Sequence, residues 1–291
     1  MRSYVPAYQM RSPATLSEAL DILAESSGAW KPFAGGTDLM VLLEAGKLAH
    51  RNYVNIWPLK ELRGIAVTNE YITLGALTTY TEVQANSVLS DEFPMLCQAA
   101  SETGGLAIQN RGTLGGNIVN ASPAADSPPA LLAYEADLEL ISATGSRTVP
   151  YHSFHTGYKQ MDIRPDELLR SIRLPRPTMA LKHYYRKIGT RRAQAISKVC
   201  FAGVGRLNRG RAAAVRIALA SVAPVPIRCT KTEAVINDHR LESATIAAAE
   251  AAFAGEIAPI DDFRSTKNYR LRVALNLLKD FLDELGSLAP G

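Results

Sequence analysis

Two glycine pairs constrain this chain more than anything else in it: Gly35-Gly36 in Lys31-Pro32-Phe33-Ala34-Gly35-Gly36-Thr37-Asp38, and Gly115-Gly116 in Thr113-Leu114-Gly115-Gly116-Asn117. Each stands where an apolar run gives way to polar residues, so each reads as a tight turn of the kind glycine makes at least steric cost. The first pair joins a predicted strand, Ala29 to Ala34, to a predicted Leu-rich helix, Asp38 to Ala45. Successive backbone N–H groups in such a turn form a cradle for an anion such as phosphate. A tight strand-to-helix connection with Thr37 or Asp38 as N-cap accounts for the same residues. Asp38 fits a plain phosphate nest poorly because its charge repels one; a cap, or an acceptor for a ribose hydroxyl, suits it better. Two such turns far apart in sequence point to two lobes that hold the two ends of one diphosphate, and therefore to a large cofactor.

Between Asn120 and Leu132, three prolines (Pro123, Pro128, Pro129) bracket Asp126. Proline restricts the unfolded chain, so a carboxylate held this way is fixed at low entropic cost and could accept from hydroxyls or ring N–H groups; a simple turn cap is the plainer reading.

The surrounding texture divides the chain. Thr15-x-x-Glu18 opens an amphipathic helix with Leu16, Ala19, Leu20, Ile22 and Leu23 apolar, after a short extended opening and before a turn at Ser26-Ser27-Gly28. Tyr53 to Ile56 is a further strand, which completes a small α/β unit over about the first sixty residues. Beyond Leu59, Ile65 to Val67 and Tyr71 to Leu74 form a hairpin-like pair, and helices are expected at Tyr80 to Ala85 and Pro94 to Thr103. Asp137 to Ile141 and Arg147 to Pro150 alternate as paired strands, and Glu167 to Leu174 reads as the closing strand of an antiparallel sheet. Pro175-Arg176-Pro177 is the candidate linker. After it, His183 to Ile188, Lys198 to Gly205 and Ala214 to Val222 alternate at strand period, with a turn at Asn208-Arg209-Gly210. Helices at Ser243 to Ala254 and Tyr269 to Leu285 follow, the last with Val273, Leu277, Leu278, Phe281 and Leu282 on one face.

Several functions are disfavoured. The chain has 291 residues, 47% apolar and 21% charged, enough for a substantial core; its net charge of +4 is scattered rather than gathered into a nucleic-acid stripe. Cys97, Cys200 and Cys229 lie far apart, in no spacing that supports disulfides, zinc or iron-sulfur clusters. The start, MRSYVPAYQMRSP, has no apolar leader region, and no run approaches a membrane span of about 20 apolar residues, so a cytoplasmic protein is expected. Gly203-Val204-Gly205 is followed by a hairpin turn rather than the helix a dinucleotide fingerprint needs. His152-x-x-His155 lacks zinc-protease spacing, and Ser153 lacks a nucleophile elbow. With no convincing acid–base pair, the chemistry belongs to a cofactor.

Four blocks carry a family resemblance: Phe33-Ala34-Gly35-Gly36-Thr37-Asp38-Leu39, Asn110-Arg111-Gly112-Thr113-Leu114-Gly115-Gly116-Asn117, Ala121-Ser122-Pro123-Ala124-Ala125-Asp126, and Glu167-Leu168-Leu169-x-Ser171-Ile172-x-Leu174-Pro175. In order and spacing they resemble the FAD-binding medium subunit of the molybdenum hydroxylases, the family of bacterial xanthine dehydrogenase and carbon monoxide dehydrogenase. The resemblance extends over essentially the whole chain. It implies an α+β protein. A two-lobed FAD-binding domain of PCMH type would span residues 1–177, with lobes of about 1–58 and 59–177. A C-terminal domain, residues 178–291, would hold a three-stranded antiparallel sheet and a helix bundle. By resemblance, Lys31, Pro32, Phe33, Ala34, Gly35, Gly36, Thr37 and Asp38, with Thr113, Leu114, Gly115, Gly116 and Asn117, contact the FAD diphosphate. Asn120, Asp126, Leu169 and Lys187 match further cofactor contacts, with Lys187 near the isoalloxazine edge.

The implied partners are a large molybdenum-cofactor subunit and a small subunit with two-iron, two-sulfur clusters, arranged as a dimer of heterotrimers. Electrons would pass from those clusters to this flavin and on to NAD, oxygen or another acceptor, most nearly as in xanthine dehydrogenase. A self-contained flavin oxidase and a non-catalytic flavin-binding assembly protein are the alternatives. Two departures stand out. Gln109 replaces an arginine common in relatives, and Thr190-Arg191-Arg192-Ala193-Gln194-Ala195 lacks the acidic pair of animal xanthine dehydrogenases, which leaves the acceptor open.

Overall fold

The computed structural model describes residues 7–25, 28–191 and 194–287, and in them three larger sheets packed with helices and one two-stranded hairpin sheet build the protein. Ser26 and Ser27 of the expected turn, and Arg192 and Ala193 of the loop after Lys187, lie outside the described residues.

The first unit runs β1 (Gln9–Arg11), α1 (Leu16–Glu25), β2 (Trp30–Phe33), α2 (Leu39–Glu44) and β3 (Asn52–Asn55). Its strands lie parallel in the order β1-β3-β2, the arrangement the alternation of strand and helix dictates. Leu16, Ala19, Leu20 and Leu23 of α1 pack on Trp30, Val54 and Ile56. The α1 cap differs in one bond from the expected box. Thr15 Oγ1 accepts from the Glu18 N–H at 3.2 Å, but the Glu18 carboxylate reaches the Ala14 N–H at 2.7 Å instead of that of Thr15. None of the apolar side chains of α2 is buried.

In the second unit come β4 (Ile65–Val67), β5 (Tyr71–Gly75), α3 (Tyr80–Ala85), α4 (Ser87–Glu92), α5 (Pro94–Glu102), α6 (Leu106–Gln109), α7 (Leu114–Val119) and α8 (Ser127–Ala133). β6 (Asp137–Ser142), β7 (Gly145–Pro150), α9 (Tyr151–Phe154), the hairpin β8 (His155–Gly157) and β9 (Gln160–Met161), and β10 (Leu168–Pro175) complete it. The sheet is antiparallel in the order β4-β5-β10-β6-β7, so both predicted hairpins form and β10 enters last in sequence but lies at the centre. Leu168, Leu169, Ile172 and Leu174 of β10 are accordingly buried. Two short helices stand where turns and loops are expected. Gly115-Gly116 belongs to the first turn of α7, where Thr113 caps and the i,i+4 pair Leu114 and Ile118 is buried. The Pro-bounded segment continues as α8, because prolines in a first helical turn lack only N–H groups that a helix start leaves unpaired.

The third unit holds β11 (Lys182–Ile188), β12 (Val199–Asn208), β13 (Arg211–Ala220), β14 (Ile227–Arg228), α10 (Thr230–Ile236), α11 (Ser243–Glu256) and α12 (Lys267–Gly286). The three expected antiparallel strands are joined by the two-residue β14, and α10 adds a helix that the sequence reading lacks. Arg209 and Gly210, at φ +51° and +77°, form the two-residue turn between β12 and β13. This sheet is buried on both faces. Tyr185, Cys200, Ala202, Val204 and Ala218 join the core of the second unit, while Tyr184, Phe201, Ile217 and Leu219 meet Phe253, Leu278 and Phe281 of the helices. That is why β12 reads as a nearly continuous apolar run rather than a strict alternation. Glu135 ties the two units with ion pairs to Arg216 (2.8 Å) and Arg228 (2.9 Å). Among the described residues no helix is long and apolar enough to cross a membrane.

Candidate cofactor site

The first glycine loop leaves β2 and enters α2. Gly36 has φ +76°, a left-handed conformation that favours glycine, and a Cβ there would lie 2.6 Å from the Phe33 ring. Gly35 is placed against the second unit. Its virtual Cβ falls 1.7 Å from the Arg111 carbonyl oxygen, so only a glycine lets the loop touch that backbone. Asp38 occupies the N-cap position of α2, but its side chain makes no capping hydrogen bond, which leaves the carboxylate uncommitted to the cap.

The second loop is fixed by its neighbours. The Leu114 N–H donates to Thr78 O (3.0 Å) and the Gly115 N–H to Ala76 O (2.9 Å), and a Cβ on Gly115 would sit 2.7 Å from Ala76. The Gly116 N–H donates to Thr113 Oγ1 at 3.0 Å, and a Cβ on Gly116 would meet no other atom than that oxygen, at 2.9 Å, within 4 Å. Leu114 points into the core.

Both loops border one cavity of about 780 Å³, in the size range of sites for large ligands. Of the residues singled out in the sequence, Lys31, Pro32, Ala34, Gly35, Gly36, Thr37, Asp38, Thr113, Gly115, Gly116, Asn117, Asn120 and Leu169 line it. Phe33 packs edge-on against Tyr53 instead, and Leu114, Asp126 and Lys187 are also absent from the lining. The sequence reading misses several cavity residues: Lys47, His50, Tyr80, Lys159 and Arg164. Nothing local in the sequence marks them; Lys159, with φ +58°, stands in the turn between β8 and β9. Its ammonium donates to Asn120 O (2.5 Å) and Oδ1 (3.1 Å), which pins the hairpin to the end of α7.

The wall is positive on balance. Lys31, Lys47, His50, Lys159 and Arg164 face Asp38 and Glu167, and Glu167 is matched by Arg147 (2.8 Å) and Arg164 (3.0 Å). The hydrogen bonds from Arg147 hold the Glu167 carboxyl below its usual range, so it stays ionised. Burial, then the neighbouring Lys31 charge, pushes the His50 imidazole down from its ordinary value. Asn117 Oδ1 is buried at this cavity without a hydrogen-bond partner, which is costly unless a ligand or water supplies one. A glycine surface open to the cavity, an unpartnered buried acceptor and a cationic wall all fit a diphosphate-bearing cofactor.

Asp126 and Lys187 are brought together, but beside the cavity rather than in its wall. Asp126 is at the N-cap position of α8 without capping it; its carboxylate pairs with the Lys187 ammonium at 2.7 Å and accepts from the Ser197 hydroxyl. Lys187 also donates to Glu102 O at 2.7 Å, one residue before the cavity residue Thr103. Burial pushes the Asp126 carboxyl up, against the opposing pull of Lys187 and Ser197. Gln109, the departure before Asn110, is buried and donates to Ser101 O at 2.9 Å, so it has a structural partner of its own. Gly203 of the rejected glycine motif is in β12, where it makes room for Phe281. His155 Nε2 bonds to Ile118 O at 3.0 Å, and among the described residues no group of three His, Cys, Asp or Glu side chains could hold a metal ion.

Comparison with known proteins gives a consistent picture. Residues 6–177 match the FAD binding domain in molybdopterin dehydrogenase, and residues 183–285 match the CO dehydrogenase flavoprotein C-terminal domain. The chain is 34% identical over 280 residues to the xanthine dehydrogenase FAD-binding subunit of Escherichia coli O157:H7, covering 96% of each chain. It is 27% identical over 279 residues to the carbon monoxide dehydrogenase medium chain of Hydrogenophaga pseudoflava, again covering 96% of each. A solved carbon monoxide dehydrogenase from Hydrogenophaga pseudoflava superimposes with a TM-score of 0.90 at 27% identity, over 95% of this chain and 96% of that one.

Proposed function

The chain belongs to the FAD-binding subunits of the molybdenum hydroxylases, oxidoreductase components of the xanthine and carbon monoxide dehydrogenase type, and from that premise we propose its place in an electron-transfer chain. It takes electrons from iron-sulfur clusters of a small partner subunit, reduced in turn by a molybdenum-cofactor subunit, and delivers them to NAD, oxygen or another acceptor. Its assembly is a cytoplasmic dimer of heterotrimers, most similar to xanthine dehydrogenase. The domains divide at residues 1–177 and 178–291. The observation that carries this reading is the single cavity bordered by both glycine loops.

FAD, when bound, supplies a redox centre that exchanges electrons singly or in pairs, which couples one-electron clusters to a two-electron acceptor. The chain's own residues bind and orient it. Backbone N–H groups of Gly35 to Asp38 would hold the diphosphate, with Lys31 and Lys159 balancing its charge, while Gly115 and Gly116 would let it lie close against α7, whose N–H groups at Gly115 to Asn117 are already bonded to Ala76 O, Thr113 Oγ1 and Thr113 O. Asp38 accepts from a ribose hydroxyl, Asn117 Oδ1 gains its missing partner, and Leu169 gives an apolar wall. The Asp126 and Lys187 pair acts one step back, fixing the Glu102 carbonyl and with it Thr103 at the cavity edge.

Anaerobic mixing tests the proposal. The FAD-loaded chain alone stays oxidised with a candidate substrate such as xanthine, and its flavin absorbance bleaches only after the large and small subunits are added. Bleaching by substrate in the isolated chain would favour a self-contained oxidase and overturn the subunit reading.

A further inference from the structure

The close approach of Gly35 to Arg111 raises a question of what keeps that backbone in place. Arg111 is the residue between the two loops, two positions before Thr113, and its carbonyl forms the surface on which Gly35 rests. Its side chain reaches back to the first unit. The guanidinium lies 3.8 Å from the centroid of the Trp57 ring, just beyond β3, and the Arg63 guanidinium lies over the same ring at 4.4 Å. Trp57 is itself held by its backbone: its N–H donates to Asn55 Oδ1 (3.2 Å), and its carbonyl accepts from Arg63 Nη2 (2.7 Å). Arg111 has no ion pair among the described residues, so its charge is directed at the indole face alone.

We propose that Trp57 and Arg111 form a latch between the first and second units that sets the spacing of the two glycine loops, and that both are positioning residues for the FAD diphosphate. Arg111 is joined to the first unit twice, by its carbonyl under Gly35 and by its guanidinium on Trp57. The carbonyl contact is repulsive at shorter range and cannot by itself hold the loops together. The shared apolar core of Trp30, Val54 and Ile56 with Leu77 and Leu168 holds the units together broadly, and the cation–π contact adds attraction at the Arg111 backbone itself, on a ring that Arg63 also covers. Neither side chain lines the cavity, so the latch acts through the backbone of Arg111 and not by touching the cofactor.

This inference rests on the cofactor site proposed above, and a double-mutant cycle separates the two. FAD dissociation constants are measured by flavin fluorescence for the full chain and for Trp57→Leu, Arg111→Met and the double variant, with far-UV circular dichroism to verify folding. Each single change weakens FAD binding about tenfold, in the range of one cation–π contact, and the double variant is no weaker than either. Trp57→Phe, which keeps an aromatic face, stays within about threefold of the unaltered chain. Single variants that bind as tightly as the unaltered chain, or losses that multiply in the double variant, overturn the latch. Failure of the unaltered chain to bind FAD overturns the site itself. Arg111 is exposed, so Arg111→Met is the variant that keeps the test intact if Trp57→Leu does not fold.

Discussion

Gly35→Ala gives a prediction whose size can be worked from geometry. Gly35 does not have a left-handed backbone, so alanine pays no conformational penalty there, and the whole effect comes from the added methyl. That methyl would lie 1.7 Å from the Arg111 carbonyl oxygen and 2.7 Å from its carbonyl carbon. Both are backbone atoms that cannot swing aside. Restoring an ordinary contact of about 3.4 Å requires the two loops to separate by roughly 1.7 Å. A backbone N–H moved that far no longer makes a hydrogen bond to a phosphate oxygen held by the other loop. Each charge-assisted bond lost is worth about 1.5–3 kcal/mol, so losing one or two weakens FAD binding by about 100-fold. Fluorescence titration of the FAD-free chain measures this directly. A variant that folds normally and binds FAD within about threefold of the unaltered chain would refute the claim that the loops act as one clamp.

Two further outcomes bear on the surroundings of the site. Asp126→Asn leaves the Lys187 ammonium buried without its counter-charge and should cost about 3–5 kcal/mol in thermal or denaturant unfolding, whereas Asp126→Asn combined with Lys187→Met should recover most of that loss. Equal stability of Asp126→Asn and the unaltered chain would contradict the pairing. For Glu167, the carboxyl pKa is lowered in the folded state by Arg147, so its contribution is fully present above the ordinary carboxylate value of 4.5 and is lost as pH falls through the depressed value. The stability gap between the unaltered chain and Glu167→Gln should therefore be constant at neutral pH and close only in acid; a gap that widened in acid would reverse the assignment.

Much of this architecture is legible in local pattern. The Gly-rich turn after β2, the α1 stripe and the Arg209-Gly210 hairpin depend on residues close in sequence, and they form where the pattern puts them. The failures share one cause, that the deciding partner is distant. Gly115 and Gly116 look like a turn, yet the bonds of Leu114 and Gly115 to Thr78 O and Ala76 O, and the burial of Leu114 and Ile118 in the core of the second unit, draw them into a helix. Pro128 and Pro129 look like loop punctuation, but they stand in the first turn of α8, where proline is tolerated, and the helix is buried between the sheet of β12 and β13 and neighbours that include α5. Neither the placement of β10 between β5 and β6 nor the pairing of Asp126 with Lys187 leaves any periodic trace. The cavity's cations show the same limit: Lys159 and Arg164 come from the strand-poor stretch before β10, and only the tertiary fold brings them to the cavity that Lys31 also lines.

The central claim is that one FAD lies across both glycine loops, and the most direct measurement is a paired FAD titration of the full chain and of Gly116→Val. Gly116 lines the cavity and a Cβ there would meet only Thr113 Oγ1 within 4 Å, so a valine side chain would fill space in which the diphosphate must lie against α7. The account predicts saturable binding of one FAD per chain in the unaltered protein and none in a correctly folded Gly116→Val. Equal flavin content in the two proteins would contradict it.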